Sequence, residues 1–223
     1  METSVVPYNE FTAFIMKFEK EGSPSICGGS LVSPNAILTV AHCVDEADEE
    51  DIHIILGQGF YPVATAMKIA SGGIHIHPEY NPNKNRNGYD LAIVILNNKV
   101  PDKFRPISFL PKEANILDET CFIGGYGDMR NFDLFSTKLM MVAANIYQVK
   151  ERTYASMTFS SSVGTCVGDS GSPSLVRHND QFYLSGVVFG AVVFKQTDIC
   201  SRETIITNIS YGRKWIELLI RCK

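Results

Sequence analysis

No stretch of this sequence is apolar enough to cross a bilayer. The longest near-apolar run, Gly186 to Phe194, falls well short of the roughly 20 residues a spanning helix needs. No leader is visible either: Met1 is followed by Glu2, with no basic and then apolar segment behind it. Neither sign of charge dominates. There are 20 Lys and Arg against 24 Asp and Glu, a net −4 with both signs interspersed, which argues against a nucleic-acid surface. There is no internal repeat and no low-complexity segment. The six cysteines show none of the spacings of a tetrahedral metal site. We therefore expect no membrane partner, no nucleic-acid partner, no metal and no cofactor. Cysteines without metal spacing suggest disulfides and an oxidising compartment. The expectation is a mature, secreted, extracellular protein behind an added or substituted Met1.

What is present suits a large core. The chain has 223 residues, 45% hydrophobic, with 17 Gly and 10 Pro, which fits one all-β domain over 1–223. Strand-like runs lie at Phe11–Phe18, Ile26–Val32, Ala36–Val40, Ile52–Gly57, Ala64–Ile76 and Leu91–Leu96. Asn97 to Asp118, punctuated by Pro101, Pro106 and Pro111, reads as a crossover. Further strands are expected at Cys121–Gly127, Lys138–Val149, Ser156–Phe159, Phe182–Phe194 and Ile205–Ile209. Trp215, Leu218 and Leu219 fall at helical spacing within a short C-terminal helix, 211–222. About a dozen short strands and one helix argue for two antiparallel barrels, the first over about 1–105 and the second over about 115–210.

Three stretches carry chemistry. Gly168-Asp169-Ser170-Gly171 is a tight loop that presents one hydroxyl amid bare backbone. By itself it is also an ordinary Gly/Ser turn. A serine needs a base within hydrogen-bond reach, and N–H groups aimed at the oxyanion its attack creates. The N–H groups of Gly168 and Ser170 are candidates. Ala41-His42-Cys43 follows a strand, and Cys27 lies 16 residues before Cys43. Asp90 opens the apolar run Leu91–Leu96, where a carboxylate is costly unless something polar faces it. An imidazole is a suitable partner. His42, Asp90 and Ser170 then fall in the order base, orienting acid, nucleophile. The remaining histidines, His53, His75, His77 and His178, show no metal spacing.

These motifs resemble the trypsin/chymotrypsin family of serine proteases. The matching stretches are Cys27-Gly-Gly-Ser-Leu-Val, Leu38-Thr-Val-Ala-His-Cys43, Asp90-Leu-Ala-Ile-Val-Ile-Leu96, Gly124-Gly-Tyr-Gly127 and Cys166-Val-Gly-Asp-Ser-Gly-Ser-Pro173, and the likeness runs over essentially the whole chain. The resemblance implies two six-stranded antiparallel barrels with the active site between them. By it His42 is general base, Asp90 orients it, Ser170 is nucleophile, and Gly168 with Ser170 supplies the oxyanion N–H groups. It also implies protein or peptide substrates, protein protease inhibitors as candidate partners, and a monomer. It pairs Cys27 with Cys43 and Cys166 with Cys200. Cys121 and Cys222 are left over, to bridge or to remain free thiols; we expect the bridge. Many relatives bind calcium after the Ile52 strand, but Gly57 to Ser71 holds no Asp or Glu, so no calcium is expected there.

The resemblance places the primary pocket at Gly164, Gly190, Ala191, Val192 and Thr204. Basic-specific relatives carry Asp where this chain has Gly164. Thr204 narrows the pocket, as in elastases, so we expect cleavage after small or medium apolar residues. Relatives carry Ser-Trp-Gly where this chain reads Val188-Phe189-Gly190, which removes the hydroxyl that usually supports the acid. Relatives also become active when an Ile-Val-Gly-Gly terminus pairs with the acid before the nucleophile, here Asp169. This chain begins Met1-Glu2-Thr3-Ser4, so a longer native terminus or a zymogen-like form is expected. The alternative reading is a catalytically silent or zymogen-like homologue acting as a binding or regulatory module.

Overall fold

The structure, a computed structural model, describes residues 8–18, 24–57, 59–60, 67–83, 88–126, 136–137, 139–160, 163–192 and 200–221. The N-terminal half holds β1 (Thr12–Lys17), β2 (Ser25–Ser33), β3 (Ala36–Thr39), β4 (Ile52–Leu56), β5 (Gly59–Phe60), β6 (Ile69–Ile76) and β7 (Ala92–Leu96). The C-terminal half holds β8 (Thr120–Gly125), β9 (Ser136–Thr137), β10 (Met140–Val149), β11 (Thr153–Thr158), β12 (Thr165–Cys166), β13 (Pro173–His178), β14 (Gln181–Ala191), β15 (Cys200–Ser201) and β16 (Glu203–Asn208). Helix α1 (Ile209–Arg221) closes it.

Two six-stranded bodies result, as expected. The first is a curled sheet ordered β4-β1-β2-β3-β7-β6. Its edges meet through one antiparallel bridge, Ile54 to Met67, just before β6. The second is a closed barrel, β10-β11-β16-β14-β13-β8. β3 and β7 are buried at every residue, which is why they read as unbroken apolar runs rather than as alternating patterns.

Polar threads tie the two bodies together. The Tyr8 hydroxyl donates to the Phe122 carbonyl at 2.6 Å and that of Tyr126 to the Gly57 carbonyl at 2.8 Å. The Gly28 N–H donates to the Ser170 carbonyl at 2.7 Å. On β2, a Cβ at Gly28 would collide with Ser172, so glycine is required for this approach.

Three expectations change. The strand β13 was not foreseen; His178 ends it, and Asn179 and Asp180 turn the chain with φ of 47° and 62°. Paired positive φ values mark a tight two-residue hairpin turn. The last strand stops at Asn208 and the helix begins at Ile209. The Asn208 Oδ1 accepts the Ser210 N–H at 3.0 Å and Asn208 is buried, so its side chain caps the helix. The bridge expected from Cys121 to Cys222 is not made. Cys121 is a free thiol with no exposure, in register with Ala144 and Val176 inside the second barrel. Burial raises its pKa, and Cys222 lies outside the described residues.

A polar knot sits in that barrel. The fully buried Tyr154 hydroxyl bonds Ser174 Oγ at 2.9 Å and Ser185 Oγ at 2.7 Å. Tyr154→Phe, made on a Ser170→Ala background to prevent self-digestion, should lower unfolding free energy by about 1–3 kcal/mol. Chemical denaturation checks it, and an unchanged midpoint would mean the knot contributes nothing.

Candidate active site

After β3 a single 3-10 turn, Ala41–Cys43, carries His42 outward. The disulfide Cys27–Cys43 ties that turn to β2. Asp90 stands just before β7 and is fully buried. Both its oxygens face His42: Oδ1 accepts the His42 backbone N–H at 2.9 Å, and Oδ2 lies 2.6 Å from Nδ1. The pair fixes the ring's orientation. A third of the His42 side chain remains exposed.

Ser170 arrives from the other barrel. The disulfide Cys166–Cys200 joins β12 to β15, whose residues pair directly. The loop that follows turns at Gly168 and Gly171, with φ of 97° and 81°, values that favour glycine. Gly171 donates to the Val188 carbonyl at 2.7 Å, and Val188 to the Ser172 carbonyl at 2.9 Å, which locks the loop to β14. A Cβ at Gly171 would strike Gly28 and Thr39 of the first sheet. Among the described residues, neither the Gly168 nor the Ser170 N–H donates to another group. The Ser170 hydroxyl donates to the Phe189 carbonyl at 3.3 Å, and no hydrogen bond joins it to His42 among the described residues. Phe189 is the extra residue of a β-bulge between Val188 and Gly190. Its ring meets that of His42 edge-on at 5.9 Å.

Asp169 is buried, and its Oδ2 accepts the Cys166 N–H at 2.8 Å. It borders a cavity of about 300 Å3 whose wall also includes Gly164, Thr165, Tyr126, Met141 and Val163. Gly164 is the one expected pocket residue in that wall. Thr204 is fully buried, its Oγ1 2.7 Å from Thr165 Oγ1. At Gly190 a Cβ would meet nothing within 4 Å, so the space beside it is open. Ala191 and Val192 are half-buried, and the residues after Val192 up to 199 lie outside the description, as does Met1. The 57–71 stretch expected to lack calcium is described only in part. Cys27, His42 and Cys43 cluster as metal ligands would, but both sulfurs are spent in the disulfide.

Sequence reasoning did not foresee a column of rings beside Asp90. Tyr89 stacks on His77, with centroids 4.8 Å apart, and His77 meets Trp215 at 4.9 Å. The Arg152 guanidinium lies 4.6 Å from the Tyr89 centroid. Only the adjacency of Tyr89 to Asp90 hinted at it.

A curled sheet and a closed barrel, with a histidine–aspartate pair on one and a serine loop on the other, define a chymotrypsin-type architecture. A protein-family model described as Trypsin matches residues 2–216, and the chain belongs to that family. It is 27% identical over 212 residues to chymotrypsin-like elastase family member 1 of Macaca fascicularis, covering 87% of this chain and 78% of that protein. It is 29% identical over 187 residues to ovochymase of Halocynthia roretzi, covering 72% of this chain and 11% of that protein. Urokinase-type plasminogen activator of Gallus gallus is 24% identical over 86% of this chain and 50% of its own length.

His77 gives a pH prediction. Burial lowers its pKa, with Glu79 pulling weakly the other way, and its Nδ1 accepts the Glu79 N–H at 3.2 Å. A base whose folded pKa is depressed lets the unfolded chain take up its proton first. Stability is then complete above the ordinary histidine range and is lost as pH falls through it, levelling off below the folded pKa. The unfolding midpoint of Ser170→Ala protein should fall between about pH 7 and about pH 5, and less steeply with His77→Phe added. Parallel curves would remove His77 as the source.

Proposed function

We propose that the protein is a secreted, monomeric serine endopeptidase that hydrolyses peptide bonds through an acyl-enzyme. The observation that carries this is the 2.6 Å contact between the His42 Nδ1 and a fully buried Asp90 carboxylate. It orients the ring and leaves Nε2 free to act as a base. Ser170 Oγ attacks the substrate carbonyl carbon while His42 takes its proton. The N–H groups of Gly168 and Ser170 receive the oxyanion. The C–N bond then breaks, and His42 gives its proton to the leaving amine. Water, activated by the same ring, hydrolyses the ester. The hydroxyl's contact with the Phe189 carbonyl is the resting arrangement, since catalytic hydrogen bonds commonly tighten only with substrate. Substrates are proteins or peptides, and protein protease inhibitors would occupy the same cleft. Asp169 supports the oxyanion loop, and activation by a freed terminus remains part of this reading.

A fluorophosphonate probe should label the intact chain at Ser170. Ser170→Ala should abolish both labelling and amide hydrolysis, and His42→Ala should do nearly the same, because such residues act as one unit. A folded wild-type chain that neither labels nor turns over would favour the silent-module reading.

On specificity, Gly164 offers no acid for a basic side chain, and a buried cation without a partner is costly. Thr204 keeps the pocket small. A substrate library should yield cleavage after Ala, Val and Leu ahead of Phe, with Arg and Lys ignored. A profile dominated by Arg and Lys would overturn this pocket; one dominated by Phe and Tyr would show that Thr204 does not narrow it.

A further inference from the structure

The segment that delivers Asp90 belongs to the first sheet but is fastened to the second barrel. Gly88 has φ of 78°, and a Cβ there would collide with the Cβ of Arg152. The chain therefore passes directly over Arg152, which lies between β10 and β11. The next residue, Tyr89, places its ring 4.6 Å from the Arg152 guanidinium and 4.8 Å from His77, nearly parallel to it. The Tyr89 carbonyl then accepts the Leu91 N–H at 2.8 Å, and the Leu91 carbonyl the His77 N–H at 2.9 Å. Asp90 is enclosed within this short loop. Arg152 is itself held: its carbonyl accepts the Asn208 N–H at 2.9 Å at the end of β16. Its guanidinium has one ion-pair neighbour among the described residues, Glu151 at 3.5 Å, and two-thirds of its side chain is buried. Such a guanidinium on an aromatic face is attracted by the ring quadrupole, more strongly where water is thinned out.

We propose that Arg152 is a positioning residue for Asp90: from the second barrel it clamps Tyr89, and through Tyr89 it sets the distance and angle at which the Asp90 carboxylate meets His42. The structural reason is economy of contact. Asp90 has no exposure, and both its described donors belong to His42. Its location must therefore come from its neighbours in the chain. Tyr89 is the adjacent residue whose side chain reaches the other barrel, so a shift of Arg152 is passed to the carboxylate through one peptide unit. Among the described contacts, Arg152 meets neither His42 nor Ser170.

The inference rests on the peptidase reading for its kinetic arm only. Steady-state kinetics, normalised by active-site titration, should show kcat of Arg152→Ala about 10- to 100-fold below wild type with KM changed little, as misplaced catalytic groups produce. Tyr89→Leu should fall with it. Arg152→Lys and Tyr89→Phe keep a cation and a ring face, and each should recover to within about threefold of wild type. The second arm needs no turnover. In proton NMR of the Ser170→Ala protein, the proton in the Nδ1–Oδ2 contact should resonate far downfield of the amides. It should broaden or move upfield with Arg152→Ala and return with Arg152→Lys. If Arg152→Ala keeps kcat within about twofold per titrated site and leaves that resonance in place, Arg152 does not position Asp90, whatever it does to the melting temperature. Should the wild type show no turnover, the peptidase reading fails alone, and the resonance still decides this proposal.

Discussion

A carboxylate with no contact with water organises this molecule. Asp90 sits at the head of a strand whose every residue is buried, and an ionised group there is tolerated only if its oxygens are met by donors. Among the described residues, both donors come from His42, one from backbone and one from the ring. Folding and orientation of the imidazole are thus one event. The strand cannot bury Asp90 without bringing the 3-10 turn of His42 onto it, and the Cys27–Cys43 disulfide holds that turn against β2.

The serine is brought to this pair by backbone more than by side chains. Gly28 bonds the Ser170 carbonyl, Gly171 bonds Val188, and Val188 bonds Ser172. The loop is therefore stitched to β2 on one side and to β14 on the other. Backbone can approach so closely only where side chains are missing, which explains Gly28 and Gly171 at the seam. The spare N–H groups of Gly168 and Ser170 follow from the same turn. A loop that spends its carbonyls and neighbouring amides on two sheets leaves those two donors over.

Much of this was legible in the residues. Two bodies of short strands, the helix, and the motifs around His42, Asp90 and Ser170 all showed as local pattern, because burial and turns leave periodicity and glycine in the sequence. β13 did not show, because Pro173 and the polar Ser174, Arg177 and His178 dilute its apolar residues. Cys121 misled, because a leftover pair of cysteines invites a bridge. Its side chain instead fills the second barrel's core beside Ile123 and Val176, where a thiol behaves as a small apolar group. The Thr204 hydroxyl lies against that of Thr165. Which way a threonine turns depends on a partner 39 residues away, and no local pattern records it. The Arg152–Tyr89–His77–Trp215 column is likewise long-range, assembled from four separate segments.

That column is connected with a departure in the sequence. The family resemblance leads one to expect a serine hydroxyl beside the acid, but the chain has Val188, which is fully buried and makes backbone bonds to the Ser170 loop. A valine donates nothing, so the carboxylate is left with His42 as its described partner. A carboxylate held by one residue is free to pivot about that residue unless its own backbone is fixed. In this chain Gly88 lies tight on Arg152, Tyr89 is stacked on His77, and Leu91 is packed where a Cβ on Gly212 of α1 would strike it. Each contact immobilises the main chain within two residues of Asp90. Packing on both sides of the acid thus joins the first sheet, the second barrel and the C-terminal helix at one point.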